Sequence, residues 1–474
     1  MSKPIQRLPR TLKASSVYRH DVSGGRTSAI GKEYLALFAY QVIFCNLMGA
    51  IRPCRVARPR PSTDWSTTVA VVRERAADVD LVLRGAHLFD GLRVHDGLRD
   101  VAIAGGGIVE VSPEPRRGNR IIDVAGGWVL PGLIDTHVHL YDVRSITDEG
   151  SLRAFQEHDL PRHLDDFLQH GVTTVKSVGD PTEHILQTRA DLADGTLQGP
   201  RLLTTGCGIT ASDGHPASTV FAENPWARAR FTGEVSNPQE MRALVRRLAD
   251  LGVDAIKLLS EGACESRGAS PYVWQNVAFD RTVELVRLPL ELLRAGIETA
   301  HEQGLRVTVH TTQQDAAREA IDAGADGLEH GVTVEPVTDS ALFDVMRLGD
   351  VTYTPTLWIH DAIHPAARGN LKKAGDAGVR LALGSDSFCG RGQFGKNTLD
   401  EAKLMVAAGL DPIQVLVAGT SAAARHCGRP DLGVIEPGRR ADLFVVGADP
   451  TKDIQNLRGL ALTIVDGRIT VDRR

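Results

Sequence analysis

Between residues 128 and 387 the chain alternates short apolar runs with longer amphipathic ones, and that alternation constrains the fold more than anything else in it. Eight segments read as strands: "WVLPGLIDTHV", "VTTVKSVG", "RLLTTG", "VDAIKLL", "LRVTVH", "DGLEH", "VTYTP" and "RLALGSD". Between them lie stretches with helical spacing, such as "PQEMRALVRRLADLG", "LELLRAGIETAHEQG" and "QDAAREAIDAG", each closed by a glycine stop. Eight strands each followed by a helix predict an α/β protein built on a (β/α)8 TIM barrel. A doubly wound sheet is the alternative, but no Gly-x-Gly-x-x-Gly follows the first strand.

The flanks have a different texture. "VDLVLRGAHLFDG", "DVAIAGGGIVEV" and "RIIDVAGGWVLPG" are short alternating runs with glycine turns, and "GVIEPGRRADLFVVGADP" with "ALTIVDGRITVD" repeats the pattern near residue 474. They predict one small composite β-sandwich assembled from both sides of the barrel. The expected division is an extension over 1–77, β-domain over 78–130, barrel over 131–428 and β-domain again over 429–474. The extension reads as disordered or as a start placed too far upstream, with Met48 an internal candidate. Its apolar run "YLALFAYQVIFCNLMGA" is short of the roughly 20 residues that span a bilayer; an anchor or export signal is the minor alternative.

Charge separates the two regions. Residues 1–70 hold 11 Lys/Arg against 3 Asp/Glu, and the remainder 43 against 56. A barrel that acidic has no electrostatic footprint for nucleic acid. The six cysteines are scattered with no Cys-x-x-Cys pair, which argues against a disulfide framework and for a reducing, cytoplasmic setting.

Chemistry in such a barrel gathers where the strands end. The first run ends in His137 and His139, whose i, i+2 spacing turns both imidazoles to one side of a strand. The fifth ends in His310, the sixth in His330 and the eighth in Asp386, and the fourth carries Lys257 among apolar neighbours. Taken alone, the histidines and Asp386 read more simply as core histidines and a capping aspartate, and pairing with a carboxylate such as Glu261 is the minor alternative for Lys257. Six at one face of one barrel point to a metal centre. A buried lysine is costly and tends to lose its proton; the neutral amine can take up carbon dioxide as an anionic, bidentate carbamate.

With these residues the sequence resembles the amidohydrolase superfamily, in its binuclear, carboxylated-lysine branch. "PGLIDTHVHL", "HGVTTVKSVGD", "GPRLLTTG", "GVDAIKLLSEG", "GLRVTVHTT", "GADGLEHG", "GVRLALGSDS" and "LGVIEPGRRADLFVV" carry the resemblance. It is nearest to prolidases, Xaa-Pro dipeptidases and imidazolonepropionase-like enzymes. It implies two divalent metal ions, zinc first, with His137, His139 and Asp386 on one, His310 and His330 on the other, and N6-carboxylysine at Lys257 between them. It also implies a hydroxide shared by the ions, with Asp386 as general acid and base. The expected reaction is cleavage of a carboxamide C–N bond in a dipeptide, an N-acyl amino acid or a peptide-derived compound. Cyclic-amide or imidazolone hydrolysis, deamination and ester or lactone hydrolysis are the competing chemistries. A scaffold that has lost its chemistry is disfavoured because all six site residues are present. The expected partner is a small-molecule or peptide substrate, with no membrane and with a homo-oligomer as an open option.

The sequence departs from its relatives in long loops after the third and fourth strands. The first contains "DGHP", where relatives show a Gly-Gly-His element, and offers His215 as a substrate or transition-state contact. The second offers Tyr272 and Trp274 as pocket walls. His170 and His301 read as helix-end and surface residues, and His360 and His364 as loop histidines after the seventh strand, near the expected mouth, with a substrate contact as the minor alternative. Cys207, Cys264 and Cys389 read as small buried side chains.

Overall fold

The computed structural model describes residues 79–143, 145–262, 286–362, 364–388 and 394–474. The 1–77 extension, Tyr272, Trp274, Cys264 and Cys389 lie outside the described residues. The core of the protein is parallel sheet. One ladder joins Leu133–Val138, Val172–Ser177 and Arg201–Thr204; a second runs, in spatial order, Thr232–Val235, Gly208–Ala211, Ala255–Leu259, Arg306–His310, Gly327–Glu329 and Thr352–Thr354. Strands covered on both faces carry apolar or small residues at nearly every position: all six residues of Leu133–Val138 and of Val172–Ser177 are buried. The two ladders meet where Asp254 N donates to Thr204 O at 2.8 Å and Asp254 Oδ2 accepts from Thr204 N at 2.9 Å.

At the other edge, residues 380–387 lie between the seventh and first strands without forming a regular ladder. Tyr353 N donates to Arg380 O and Ala382 N to Tyr353 O, while Thr136 N donates to Leu383 O and Asp386 N to His137 O. The expected strand "RLALGSD" is irregular, and the segments on either side crowd it. A Cβ on Gly384 would lie 2.4 Å from Thr354 Cγ2 and 2.9 Å from His137 Cβ, and Asp386 has φ +53°. The arrangement is consistent with a TIM-barrel-like fold.

The helices follow the sequence pattern. Pro238–Asp250 starts where Asn237 accepts from Glu240 N at 3.0 Å, and Leu290–Glu302 and Gln314–Asp322 pack apolar stripes on the sheet. Gly252, Gly304 and Gly324, all at positive φ, end the three. The long loop after the third strand holds more order than expected, with helix Pro225–Phe231 leading into strand Thr232–Val235.

The flanking β segments share one mixed eight-stranded sheet. Trp128–Pro131 is antiparallel to Leu443–Val446 and parallel to the end of Leu81–Leu88. Leu83, Val101, Ile103, Leu443, Leu462 and Ile464 form its own apolar core. The run expected as one strand, "WVLPGLIDTHV", is therefore two, split at Gly132 between the mixed sheet and the parallel one. No helix among the described residues is long and apolar enough to cross a membrane.

Candidate metal centre

The pleat of Leu133–Val138 and the turn after it deliver His137 and His139 to the same end of the sheet. Asp180 fixes that turn, accepting from Leu140 N at 2.8 Å, Tyr141 N at 3.2 Å and Ser177 Oγ at 2.7 Å. The irregular 380–387 segment brings Asp386 opposite, with Oδ1 at 3.5 Å from His137 Nε2 and 3.3 Å from His139 Nε2. One ligand atom from each of the three lies within 4.8 Å of the others. His137 Nδ1 donates to Glu329 Oε2 at 2.7 Å, so Nε2 is left with its lone pair toward Asp386. Burial, with Lys257 nearby, lowers His137 to about 4, which keeps the ring neutral at pH 7.

A second group shares Asp386. His330 Nδ1 lies 3.8 Å from Asp386 Oδ2, and a nitrogen of His360 completes a set whose ligand atoms lie within 4.8 Å of one another. Burial, then His310 and His360, push His330 well below the usual imidazole range. His310 packs on His330 with ring centroids 4.4 Å apart, while its Nε2 is 2.9 Å from Glu261 Oε2. His215 stacks beside His310 at 5.1 Å, with Nδ1 at 2.8 Å from Thr219 Oγ1. Burial, with His310 close by, lowers His215 to about 3. The structure thus brings together His137, His139, Asp386, His310, His330 and His215 as a connected row.

Lys257 is buried within Ala255–Leu259, and its Nζ has no hydrogen-bond partner among the described residues. Burial lowers the amine to about 8. The alternative pairing with Glu261 is not what the side chains do: Glu261 accepts from Thr312 Oγ1 at 2.9 and 2.8 Å and faces His310. A buried, unpartnered amine near imidazoles and carboxylates is unusual. Imidazole and carboxylate donors in two adjoining groups fit divalent ions of the zinc type.

Three contributors escaped the sequence reading. His360 was expected on a loop near the mouth, as a substrate contact at most; it is buried and faces His330, with centroids 4.7 Å apart. Glu329 and Lys176 form the floor under His137. Glu329 Oε1 accepts from Thr308 Oγ1 at 2.5 Å and lies 3.6 Å from Lys176 Nζ, which donates to His426 Nε2 at 2.7 Å. Burial opposes charge on Glu329, but His137 and Lys176 outweigh it and hold the carboxyl well below its usual range. A lysine inside the apolar run "VTTVKSVG" was the available signal, the same that singled out Lys257. The remaining expectations sit as read: Cys207 is buried, His301 pairs with Asp326 at the surface, and His170 lies just past a helix end with Nδ1 at 2.7 Å from Asp166 O.

Comparison with known proteins gives the chain its family. An imidazolonepropionase of Anaeromyxobacter sp. (strain K) is 27% identical over 358 residues, covering 70% of this chain and 78% of its own. An uncharacterised protein of Mycobacterium tuberculosis is 26% identical over 427 residues, covering 84% and 98%. The crystal structure of a Xaa-Pro dipeptidase with bound methionine in the active site superposes with a TM-score of 0.68 at 26% identity, covering 82% of this chain and 99% of that one. The model of the amidohydrolase family matches residues 128–470. That match spans well over half the sequence, from the strand before Gly132 through the parallel sheet to the last β segments: the chain is a hydrolase and belongs to the amidohydrolase family.

Proposed function

We propose that the protein is a metal-dependent amidohydrolase of the binuclear, carboxylated-lysine branch, cleaving a carboxamide C–N bond in a dipeptide, an N-acyl amino acid or a peptide-derived substrate. The observation that carries this reading is the pair of His/Asp groups sharing Asp386, with the unpartnered Lys257 amine beside them. His137, His139 and Asp386 would hold one ion, and His310 and His330 the other. Lys257, as N6-carboxylysine, would join the two. The parallel strands would close, through residues 380–387, into a full (β/α)8 barrel, with the mixed sheet as a small β-sandwich beside it.

Divalent ions, zinc first, supply Lewis acidity at the substrate carbonyl and a water acidified to about pKa 7. The protein's own groups do the rest. Asp386 takes the proton of the attacking water on a carboxylate oxygen and hands it to the departing nitrogen, since an unprotonated amine leaves poorly. His215, neutral and with Nδ1 occupied by Thr219, presents Nε2 as a hydrogen-bond donor to the oxygen that gains charge. Glu329 holds His137 in the tautomer that keeps Nε2 available. The likeness to an imidazolonepropionase favours cyclic amides as the second substrate class.

The first experiment is metal content per chain after purification with bicarbonate and no chelator, for wild type and Lys257→Ala, followed by a panel of Xaa-Pro, N-acyl amino acid and cyclic-amide substrates. Two ions in the wild type and fewer in the variant support the binuclear reading. One ion, unchanged in the variant, makes Lys257 structural and removes it.

A further inference from the structure

We infer that His360 is a metal ligand in the half of the centre built on His330, and that His364 and Glu401 are its positioning residues. The inference rests on the two-ion reading above and adds a ligand to it.

His360 closes the four-residue helix Leu357–His360 that follows the seventh strand. Two residues, Glu401 and Thr356, set that helix. Glu401, fully buried, takes both of its first exposed donors, Leu357 N at 2.9 Å and Trp358 N at 2.6 Å. Thr356, just before the helix, has φ +47°, a left-handed conformation that a β-branched residue adopts only when its surroundings enforce it. Its Oγ1 lies 2.6 Å from His330 Nδ1, so the same strained residue touches the neighbouring imidazole. A loop histidine with only a packing role does not call for such fixing.

The ring is held as a ligand would be. His360 Nδ1 is 3.0 Å from His364 Nδ1, and the two rings stack with centroids 5.2 Å apart. Only one proton fits between two ring nitrogens at that distance. Donation from His360 to His364 leaves His360 Nε2 with a lone pair. His360 offers its ligand atom within 4.8 Å of those of His330 and Asp386. A neutral imidazole whose far nitrogen is hydrogen-bonded to a dedicated partner is the usual arrangement of a metal-bound histidine.

The consequence is an asymmetric centre. Asp386 is shared, so the His137 half adds two imidazoles, while the other adds His330 and His360 with His310 packed against His330. Nitrogen-rich donors favour cobalt, nickel and zinc over manganese or magnesium, so the two halves should load unequally.

The test is titration of the full-length, metal-free protein with cobalt(II), read as visible absorption and as affinity in competition with a chelator. Wild type, His360→Ala, His360→Gln and His364→Phe are compared, each first checked by circular dichroism and thermal melting without metal. Two cobalt ions are expected on the wild type. In both His360 variants the weaker-held ion should be lost or bound more than about 100-fold less tightly with a changed absorption band, and His364→Phe should cost about 10–100-fold. Wild-type affinity and spectrum in folded His360 variants overturn the inference, including the case where only KM or kcat changes, which makes His360 a substrate contact. Wild type that takes up fewer than two ions sinks the two-ion reading, a result visible before any variant is made.

Discussion

Glu329 Oε2 lies 2.7 Å from His137 Nδ1, joining the sixth strand to the first across the interior of the sheet. Behind Glu329 stands Lys176, from the second strand, which also bonds His426. The centre therefore has a charged floor, buried and fully engaged, whose cation and anion come from strands far apart in sequence.

Removing the cation from that floor leaves an uncompensated buried carboxylate. Lys176→Met should destabilise the protein by about 3–5 kcal/mol, the usual cost of breaking one side of a buried pair. Urea denaturation of the metal-free forms measures it. A loss under about 1 kcal/mol would mean that Glu329 carries a proton when Lys176 is gone.

Glu329→Gln keeps the shape and removes the acceptor charge on His137. Metal affinity in the His137 half should fall by about 10–100-fold, measured by chelator competition, with the fold retained. Unchanged affinity would show that the His137 tautomer is set by something else.

Asp386→Ala removes a ligand shared by both groups and the group proposed to move the proton. The expected loss in kcat is at least about 100-fold, the lower end for a general acid–base residue, with weakened retention of metal in both halves. A variant that keeps wild-type metal but loses the pH dependence of kcat would confine Asp386 to proton transfer.

Glu401 makes a prediction about pH and stability. Burial raises its carboxyl to about 8, against the two backbone donors that favour charge. A carboxyl whose folded pKa lies above its unfolded value binds more protons in the native state. Unfolding free energy should therefore fall as pH rises from about 4.5 to about 8 and level off above, by a few kcal/mol in all. Glu401→Gln should flatten that slope, read from urea midpoints at pH 5 and 8. Parallel profiles for the two proteins would mean that the backbone donors at Leu357 and Trp358 keep the group ionised throughout.

The parallel strands, the major helices and their glycine stops were legible because each is a local pattern: period, cap and terminator lie within a dozen residues. So were His137, His139, His310, His330 and Asp386, since strand ends share one face once the alternation is seen. Three things were not legible. The split at Gly132 was hidden because two sheets continue one apolar run without a polar break. The irregular course of 380–387 depends on Gly384 meeting Thr354 and His137, residues distant in sequence. His360 was not singled out as a ligand because its position comes from Thr356 in a left-handed conformation and from Glu401 on a later helix, neither of which leaves a local signature.

The pairing of Trp128–Pro131 with Leu443–Val446 has a consequence for how the protein comes into being. Gly132 alone separates that ladder from the strand that feeds His137 into the centre. A nascent chain holds the first two imidazoles early, yet the segment leading into their strand gains its antiparallel neighbour only when residues some three hundred positions later have left the ribosome. Chains cut short before residue 443 carry the histidines while one edge of Trp128–Pro131 stays unpaired.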